Sequence, residues 1–271
     1  MSTRLVSRTE GNIKTPLAMN EHFSGIAERY RNLRKTDSEP IGIIADKLRH
    51  LDHIEATDVG CGAGRYDLLL YDYLGDRLKL NCLDANEEML KQLDEYLKKN
   101  DISNFTAIHS TAESLPFPDN SLDCVCTFNA IHHFKLPGFL KESARVLKTG
   151  GYLFIYTRLR EQNRRNIWGK YFPQFNQKET RLYTFRGLKR AIEGVDDLVT
   201  ESIASFIYNR ISDLGQLLER ASSHHYSTFF LYSTEELLQA ILGFTKNVMS
   251  AFEDTQQIHW SDENSLFIIR K

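Results

Sequence analysis

The 271-residue sequence has no run of about 20 uninterrupted apolar residues of the kind a bilayer span requires, and its first 23 residues hold no apolar leader core. A membrane protein of the helical kind is therefore not expected, and the cytoplasm is the expected location. An excess of one charge is missing too: 34 Lys and Arg stand against 36 Asp and Glu, a formal net charge of −2. General attraction to nucleic acid or anionic lipid is excluded on that balance, and any such affinity has to come from a local patch. Cysteine is scarce, with four in all, and none shows the spacing of a zinc site. Cys61, Cys82, Cys124 and Cys126 sit in or beside apolar runs, so they read as buried free thiols, and no metal is expected. There is also no internal repeat and no low-complexity tract. The length suits one main domain with an elaboration of it.

What is present is an alternation of two periodicities. After a polar lead (1–21), apolar residues at helical spacing run from Phe23 to Leu33, and again from Ile41 to Leu51 after a break at Pro40. Residues 56–60 then read as a strand running into a glycine loop, and a helix resumes at Tyr66. Strands at 78–83, 105–109, 122–129 and 152–156 alternate with helices at 87–100 and 139–147. That order predicts an α/β fold with a doubly wound, mostly parallel sheet. Beyond Thr157 the rhythm breaks. Helices are expected over 158–171, 185–193, 212–222 and 233–250, an extended segment over 199–208 and a last strand over 265–270. The reading divides the chain into the lead (1–21), a core with N-terminal helices (22–157) and a helical elaboration with closing strands (158–271).

The loop Asp58-Val59-Gly60-Cys61-Gly62-Ala63-Gly64 puts glycines at alternate positions, where absent side chains let a ligand approach the backbone at the carboxyl edge of the first strand. The dinucleotide fingerprint GxGxxG needs its third glycine one position later than Gly64, a departure that favours S-adenosylmethionine (SAM) over a nicotinamide cofactor. Asp84, at the end of the next strand, is placed to accept hydrogen bonds from the two hydroxyls of a ribose; its alternative role is the N-cap of the helix that follows.

With Asp58–Gly64 and Asp84, three further segments fall in order: Ala112-Glu113-Ser114-Leu115-Pro116-Phe117, the strand Asp123–Asn129 followed by Ala130-Ile131-His132-His133, and Ala144-Arg145-Val146-Leu147-Lys148-Thr149-Gly150-Gly151. Together they resemble the class I SAM-dependent methyltransferases of the ubiquinone/menaquinone-biosynthesis-like (methyltransferase type 11) group. The resemblance covers about residues 23–157 and implies a Rossmann-like sheet of seven strands with a helical cap inserted before the final strand. It also implies SAM as cofactor, with Asp58 orienting the methionine amino group, Asp84 at the ribose, and Gly60, Cys61, Gly62, Gly64 and Ala85 among the cofactor-binding residues. Thr111, Ala112 and Glu113 would lie at the adenine edge, and Asn129 and Ala130 under the methionine moiety. Tyr30 and Arg34 resemble an N-terminal helix that closes over the cofactor. Ser110-Thr111 stands where many relatives carry an acidic residue, which would shift adenine recognition to backbone groups or Glu113.

Methyl transfer from a sulfonium is an in-line displacement, so positioning supplies much of the acceleration, and a base is needed only for a protonated nucleophile. His132 and His133, after the fourth strand, are the candidate bases, with a structural role at the strand end as the alternative. His224, His225 and Tyr226 in the late helical region are candidate substrate-facing residues. Trp168, Tyr171, Phe172, Tyr226 and Phe229 are candidates for aromatic pocket walls. Between 158 and 190, ten Lys and Arg face only Glu161 and Glu179, either a solvated face or an anion-binding surface. Three functions follow: methylation of a small molecule, methylation of tRNA or other RNA through the basic stretch, and non-catalytic SAM binding by a regulator or partner subunit.

Overall fold

The computed structural model describes residues 36–271; the expected helix over 23–33, with Tyr30 and Arg34, lies outside them. The described residues open with α1 (Glu39–Lys47), whose Pro40 sits in the first turn, where its missing N–H costs nothing. Then come β1 (Ile54–Val59), α2 (Arg65–Leu74), β2 (Leu78–Asp84), α3 (Glu87–Lys99), β3 (Phe105–His109), β4 (Leu122–Phe128), α4 (Leu136–Val146) and β5 (Leu147–Thr157). The elaboration holds the short helices α5 (Arg160–Arg165), α6 (Ile167–Tyr171) and α7 (Phe175–Lys178), then α8 (Phe185–Glu193), β6 (Val199–Ser212), α9 (Leu214–Ser222), α10 (Thr234–Ala251) and β7 (Ile258–Arg270).

The seven strands form one sheet in the order β3-β2-β1-β4-β5-β7-β6. β1 to β5 are parallel, and β7 runs antiparallel between β5 and β6. The period-2 rule divides each central strand between two cores. Cys124, Cys126, Tyr152, Phe154 and Tyr156 face the layer of α1, α2 and α3, while Val125, Leu153 and Ile155 face α4 and α8. All four cysteines are buried free thiols, as their apolar settings implied. The sheet is thus doubly wound and mostly parallel, with an antiparallel end.

Helix starts follow local capping. The cap of α3 is Asn86, whose side chain accepts from the N–H groups of Glu88 and Met89, so Asp84 is freed from the capping role. α9 and α10 each begin with a capping box, Asp213 with Gln216 and Ser233 with Glu236. α9 and α10 lie between β6 and β7 in sequence, as a cap inserted before the final strand. Their core is separate: Trp168, Phe172, Phe175, Phe229 and Phe244 pack into one aromatic cluster. The Trp168 ring stacks on Phe244 at 5.2 Å between centroids. Trp168, Phe172 and Phe229 therefore hold the cap together rather than line a pocket.

The largest departure from expectation is the length of the last two strands. β5 ends at Thr157, which pairs with Ser265, but β7 begins seven residues earlier and pairs with β6 as far as Ile258 against Ser212. At about 3.3 Å per residue, the β6–β7 ribbon overhangs the carboxyl edge of the parallel sheet by roughly 20 Å. It forms a wall over the edge where open α/β sheets bind ligands. Among the described residues no helix is long and apolar enough to cross a membrane.

Candidate active site

The glycine loop is built from the end of β1 outward. Gly60, Gly62 and Gly64 have φ of +75°, +57° and +81°, the left-handed region that side chains disfavour. The first two serve different purposes. A Cβ on Gly60 would stand 2.6 Å from the Ala130 Cβ, so that glycine lets the loop pack against the segment after β4. A Cβ on Gly62 would meet nothing within 4 Å, so that glycine faces open space. The N–H groups of Gly60 and Cys61 both donate to the Leu83 carbonyl, at 2.7 and 3.1 Å, and that of Gly62 donates to Asp84 Oδ2 at 2.9 Å. Asp84 Oδ1 accepts from the Asn86 N–H at 2.9 Å. Two backbone bonds fix the Asp84 carboxylate and leave lone pairs on both oxygens.

Three carboxyl groups gather beneath this loop. Asp58 is 1% exposed and Asp67, in the first turn of α2, is 0% exposed. Asp58 Oδ1 and both Asp67 oxygens have no hydrogen-bond partner among the described residues. Burial, reinforced by the neighbouring Asp67 and Asp84, pushes the Asp58 carboxyl well above its ordinary range. Burial raises Asp67 to about 7. Burial also raises Asp84, against the lowering effect of its backbone donors. An acidic, desolvated floor of this kind suits a cationic ligand group.

Along the sheet edge, Ala112 is buried and Thr111 is exposed. Glu113 Oε1 accepts the Lys135 N–H at 2.7 Å, so one of its oxygens caps the start of α4. Asn129 adopts φ +54° at the end of β4, held by its N–H to the Tyr156 carbonyl at 2.7 Å. Ala130 follows, packed on Gly60. A single 3-10 turn, Ile131–His133, then carries both histidines, with their rings 4.1 Å apart.

Asn129, His132 and His133 open onto a cavity of about 240 Å³ between the sheet edge, the ribbon and the cap. Tyr66 lines it from α2, Arg210 and Ser212 from β6, Trp260, Asp262 and Asn264 from β7, and Arg220, His225 and Tyr226 from the cap. The structure thus brings together five expected residues: Asn129, His132, His133, His225 and Tyr226. It leaves out His224, which adopts φ +54° and stacks on Phe230 at 4.5 Å. Of the five expected aromatic walls only Tyr226 lines the cavity; Tyr66 and Trp260 do so instead. Asp262 and Asn264 were not anticipated. Their signal was two polar residues at the i, i+2 positions of what proves to be a buried strand face.

The basic stretch behaves differently from a free cationic surface. Arg158 forms a buried ion pair with Asp262, and Arg165 Nε reaches Glu263 at 2.8 Å. Lys178 pairs with Glu236 at 3.0 Å, Arg181 with Glu179, and Lys189 with Glu193 at 3.5 Å. Arg160 donates to the carbonyls of Leu182 and Thr180 at 3.1 and 2.8 Å. Six of the ten cations are thus committed within the molecule. Among the described residues no cluster of His, Cys, Asp or Glu is arranged to hold a metal.

Residues 57–155 match the methyltransferase domain family Methyltransf_11. Residues 57–155 form a methyltransferase domain. The methyltransferase YcgJ of Bacillus subtilis, named as uncharacterized, is 32% identical over 131 residues, 48% of this chain and 51% of that protein. Its crystal structure superposes with a TM-score of 0.57 at 17% identity, covering 86% of this chain and 97% of that one. A demethylmenaquinone methyltransferase of Listeria welshimeri is 37% identical over 99 residues, 35% of this chain and 41% of that protein. The [4+2]-cyclase SpnF shares the fold at a TM-score of 0.62 and 14% identity, covering 95% of this chain and 96% of that one. The chain spans about half or less of the length of these curated relatives. The sheet has the Rossmann-like fold that these solved structures share. The methyltransferase domain supplies the glycine loop, Asp84 and the His132–His133 turn, while β6, β7 and the cap lie outside the matched segment.

Proposed function

We propose that the protein is a SAM-dependent methyltransferase acting on a small molecule held between the sheet edge and the cap. Cofactor residues would lie in 22–157 and acceptor residues largely in 158–271. The observation that carries the reading is a single cavity running from Asn129, His132 and His133 at the sheet edge to Arg220, His225 and Tyr226 in the cap. A cleft of this size suits a small acceptor.

The residues fit SAM on two observations. Gly62 presents open space at the loop, and the buried Asp58 Oδ1 has no partner among the described residues. Asp58 would neutralise the ammonium of the methionine moiety, and the free lone pairs of Asp84 would accept the ribose hydroxyls. Ala112 and Glu113 would border the adenine, and Asn129 and Ala130 would support the methionine moiety. Bound SAM supplies an electrophilic methyl on a sulfonium. The cavity walls would exclude water and hold the acceptor's nucleophile in line with it. A ring nitrogen of His132 or His133 would receive the proton of an acceptor that arrives protonated.

Commitment of six cations in the basic stretch to internal partners weighs against the RNA reading. The test is a calorimetric titration with SAM and its demethylated product S-adenosylhomocysteine (SAH), then with bulk tRNA at low and high salt. Binding of SAM and SAH without tRNA is the expected result. Failure of both to bind overturns the proposal, and salt-sensitive tRNA binding replaces the small acceptor with RNA.

A further inference from the structure

Apart from Arg65, which lies over the Tyr66 ring at 5.1 Å from its centroid, the charged groups of the cavity wall are paired with opposite charges, with one exception. Arg158 and Asp262 form a buried pair, each side chain 11% exposed. Arg210 Nη2 donates to Asp37 Oδ1 at 2.7 Å, with side chains 13% and 7% exposed. Glu179 accepts from Arg181 Nε at 2.9 Å and from Thr228 Oγ1 at 2.7 Å. Burial pushes the Glu179 carboxyl up, but these donors, Arg181 first, hold it below the usual carboxylate range. Every carboxylate on the wall is therefore neutralised by a guanidinium.

The exception is Arg220. It projects from α9, is half-buried and lines the cavity. Its guanidinium makes no ion pair or side-chain hydrogen bond among the described residues. On the β7 wall, Asn264 is 4% exposed and its Oδ1 has no hydrogen-bond partner among the described residues. The cavity thus offers the cationic fork of Arg220 and the buried acceptor of Asn264. A partly desolvated guanidinium gains most from a planar or tetrahedral oxyanion that it can hold with two parallel N–H bonds. The buried Asn264 oxygen calls for a ligand that also carries an N–H or O–H donor.

We infer that the molecule occupying this cavity is a small organic oxyanion, a carboxylate or a phosphate monoester, seated on Arg220 at the cap end. Its nucleophilic group points away from Arg220, toward His132 and His133. This rests on the methyltransferase reading for the identity of the molecule as the methyl acceptor. The recognition of the anion stands on the cavity alone.

The test titrates the protein with benzoate, phenyl phosphate and neutral benzyl alcohol, each with and without saturating SAH. The wild type, Arg220→Gln and Arg220→Lys are compared. At least one anion should bind the wild type more tightly than benzyl alcohol, and its affinity should fall about tenfold or more in Arg220→Gln, with Arg220→Lys between. SAH affinity should be the same in all three proteins, which also certifies the folding of the variants. Preference for benzoate assigns a carboxylate, and preference for phenyl phosphate assigns a phosphate ester. The inference is overturned if neither anion binds more tightly than benzyl alcohol, or if Arg220→Gln leaves anion affinity unchanged. Failure of the methyltransferase reading would show separately, as absence of SAH binding to the wild type.

Discussion

The Gly62 N–H donates to Asp84 Oδ2 at 2.9 Å, so the glycine loop after β1 is fastened to the end of β2 by the side chain proposed to hold the ribose. One carboxylate thereby sets the loop's shape and leaves lone pairs for a ligand. Asp84→Ala should lose both functions. SAH affinity should fall by about 30-fold or more, which is about 2 kcal/mol. The unfolding free energy should drop by only about 1–2 kcal/mol, for the unpaired N–H groups of Gly62 and Asn86. Calorimetric titration together with urea denaturation measures both. Unchanged SAH affinity would remove Asp84 from the ribose site.

The glycines of the loop separate folding from binding. Gly60→Ala places a methyl 2.6 Å from the Ala130 Cβ at φ +75° and should destabilise the protein by about 2–4 kcal/mol. Gly62→Ala meets no neighbour within 4 Å and should cost only about 1–2 kcal/mol for its left-handed backbone. Its methyl would project into the proposed cofactor space, so SAH binding should suffer more than stability does. Equal ratios of binding loss to stability loss in the two variants would argue that the loop's open face is not a binding face.

How much of this was readable before the structure depends on where each residue's partner lies. The parallel half was legible because its strands are short apolar or alternating runs and each helix carries one apolar face, so periodicity alone separates 78–84 from 87–99. The candidate cofactor residues Gly60, Gly62 and Asp84 stood out because they sit at strand ends, where the glycines allow a left-handed turn and the Asp84 carboxylate reaches the loop's backbone. The ribbon was not legible. Residues 258–264, Ile-His-Trp-Ser-Asp-Glu-Asn, fell outside the strand expected over 265–270 because Asp262 and Glu263 interrupt its apolar pattern to meet Arg158 and Arg165. Those partners lie about a hundred residues away, and no local pattern announces them. For the same reason the stretch 158–190 looked strongly cationic although five of its ten cations are ion-paired, to the final strand, α10, Glu179 and Glu193.

That cancellation yields a prediction for Arg158. Each partner in the Arg158–Asp262 pair is largely buried, and removing one leaves the other uncompensated. Arg158→Met should destabilise the protein by about 3–5 kcal/mol, whereas Arg158→Met combined with Asp262→Leu should recover most of that loss. Chemical denaturation of the four proteins in the cycle measures the coupling. A double variant no more stable than Arg158→Met would mean that the pair does not neutralise itself and that Asp262 serves another cation.

Asp67 gives the stability of the unliganded protein a pH dependence whose sign is fixed by its surroundings. Burial raises its carboxyl from 3.8 to about 7 in the folded state. Between those values the folded chain holds a proton that the unfolded chain has lost, so the unfolding free energy falls as pH rises from about 4 to about 7 and then levels off. Asp58, raised in the same direction, adds to the slope. Asp67→Asn keeps the shape without the ionisation. It should flatten the profile, matching the wild type near pH 4 and exceeding it by about 1–3 kcal/mol at pH 8. A cation placed over this floor reverses the preference and favours the ionised carboxyls. Binding of SAH, whose ammonium is proposed to meet Asp58, should therefore release protons and tighten as pH rises. Calorimetry in two buffers of different ionisation enthalpy reads the proton count directly. Proton uptake, or an affinity that weakens with rising pH, would show that the ammonium does not sit on the acidic floor.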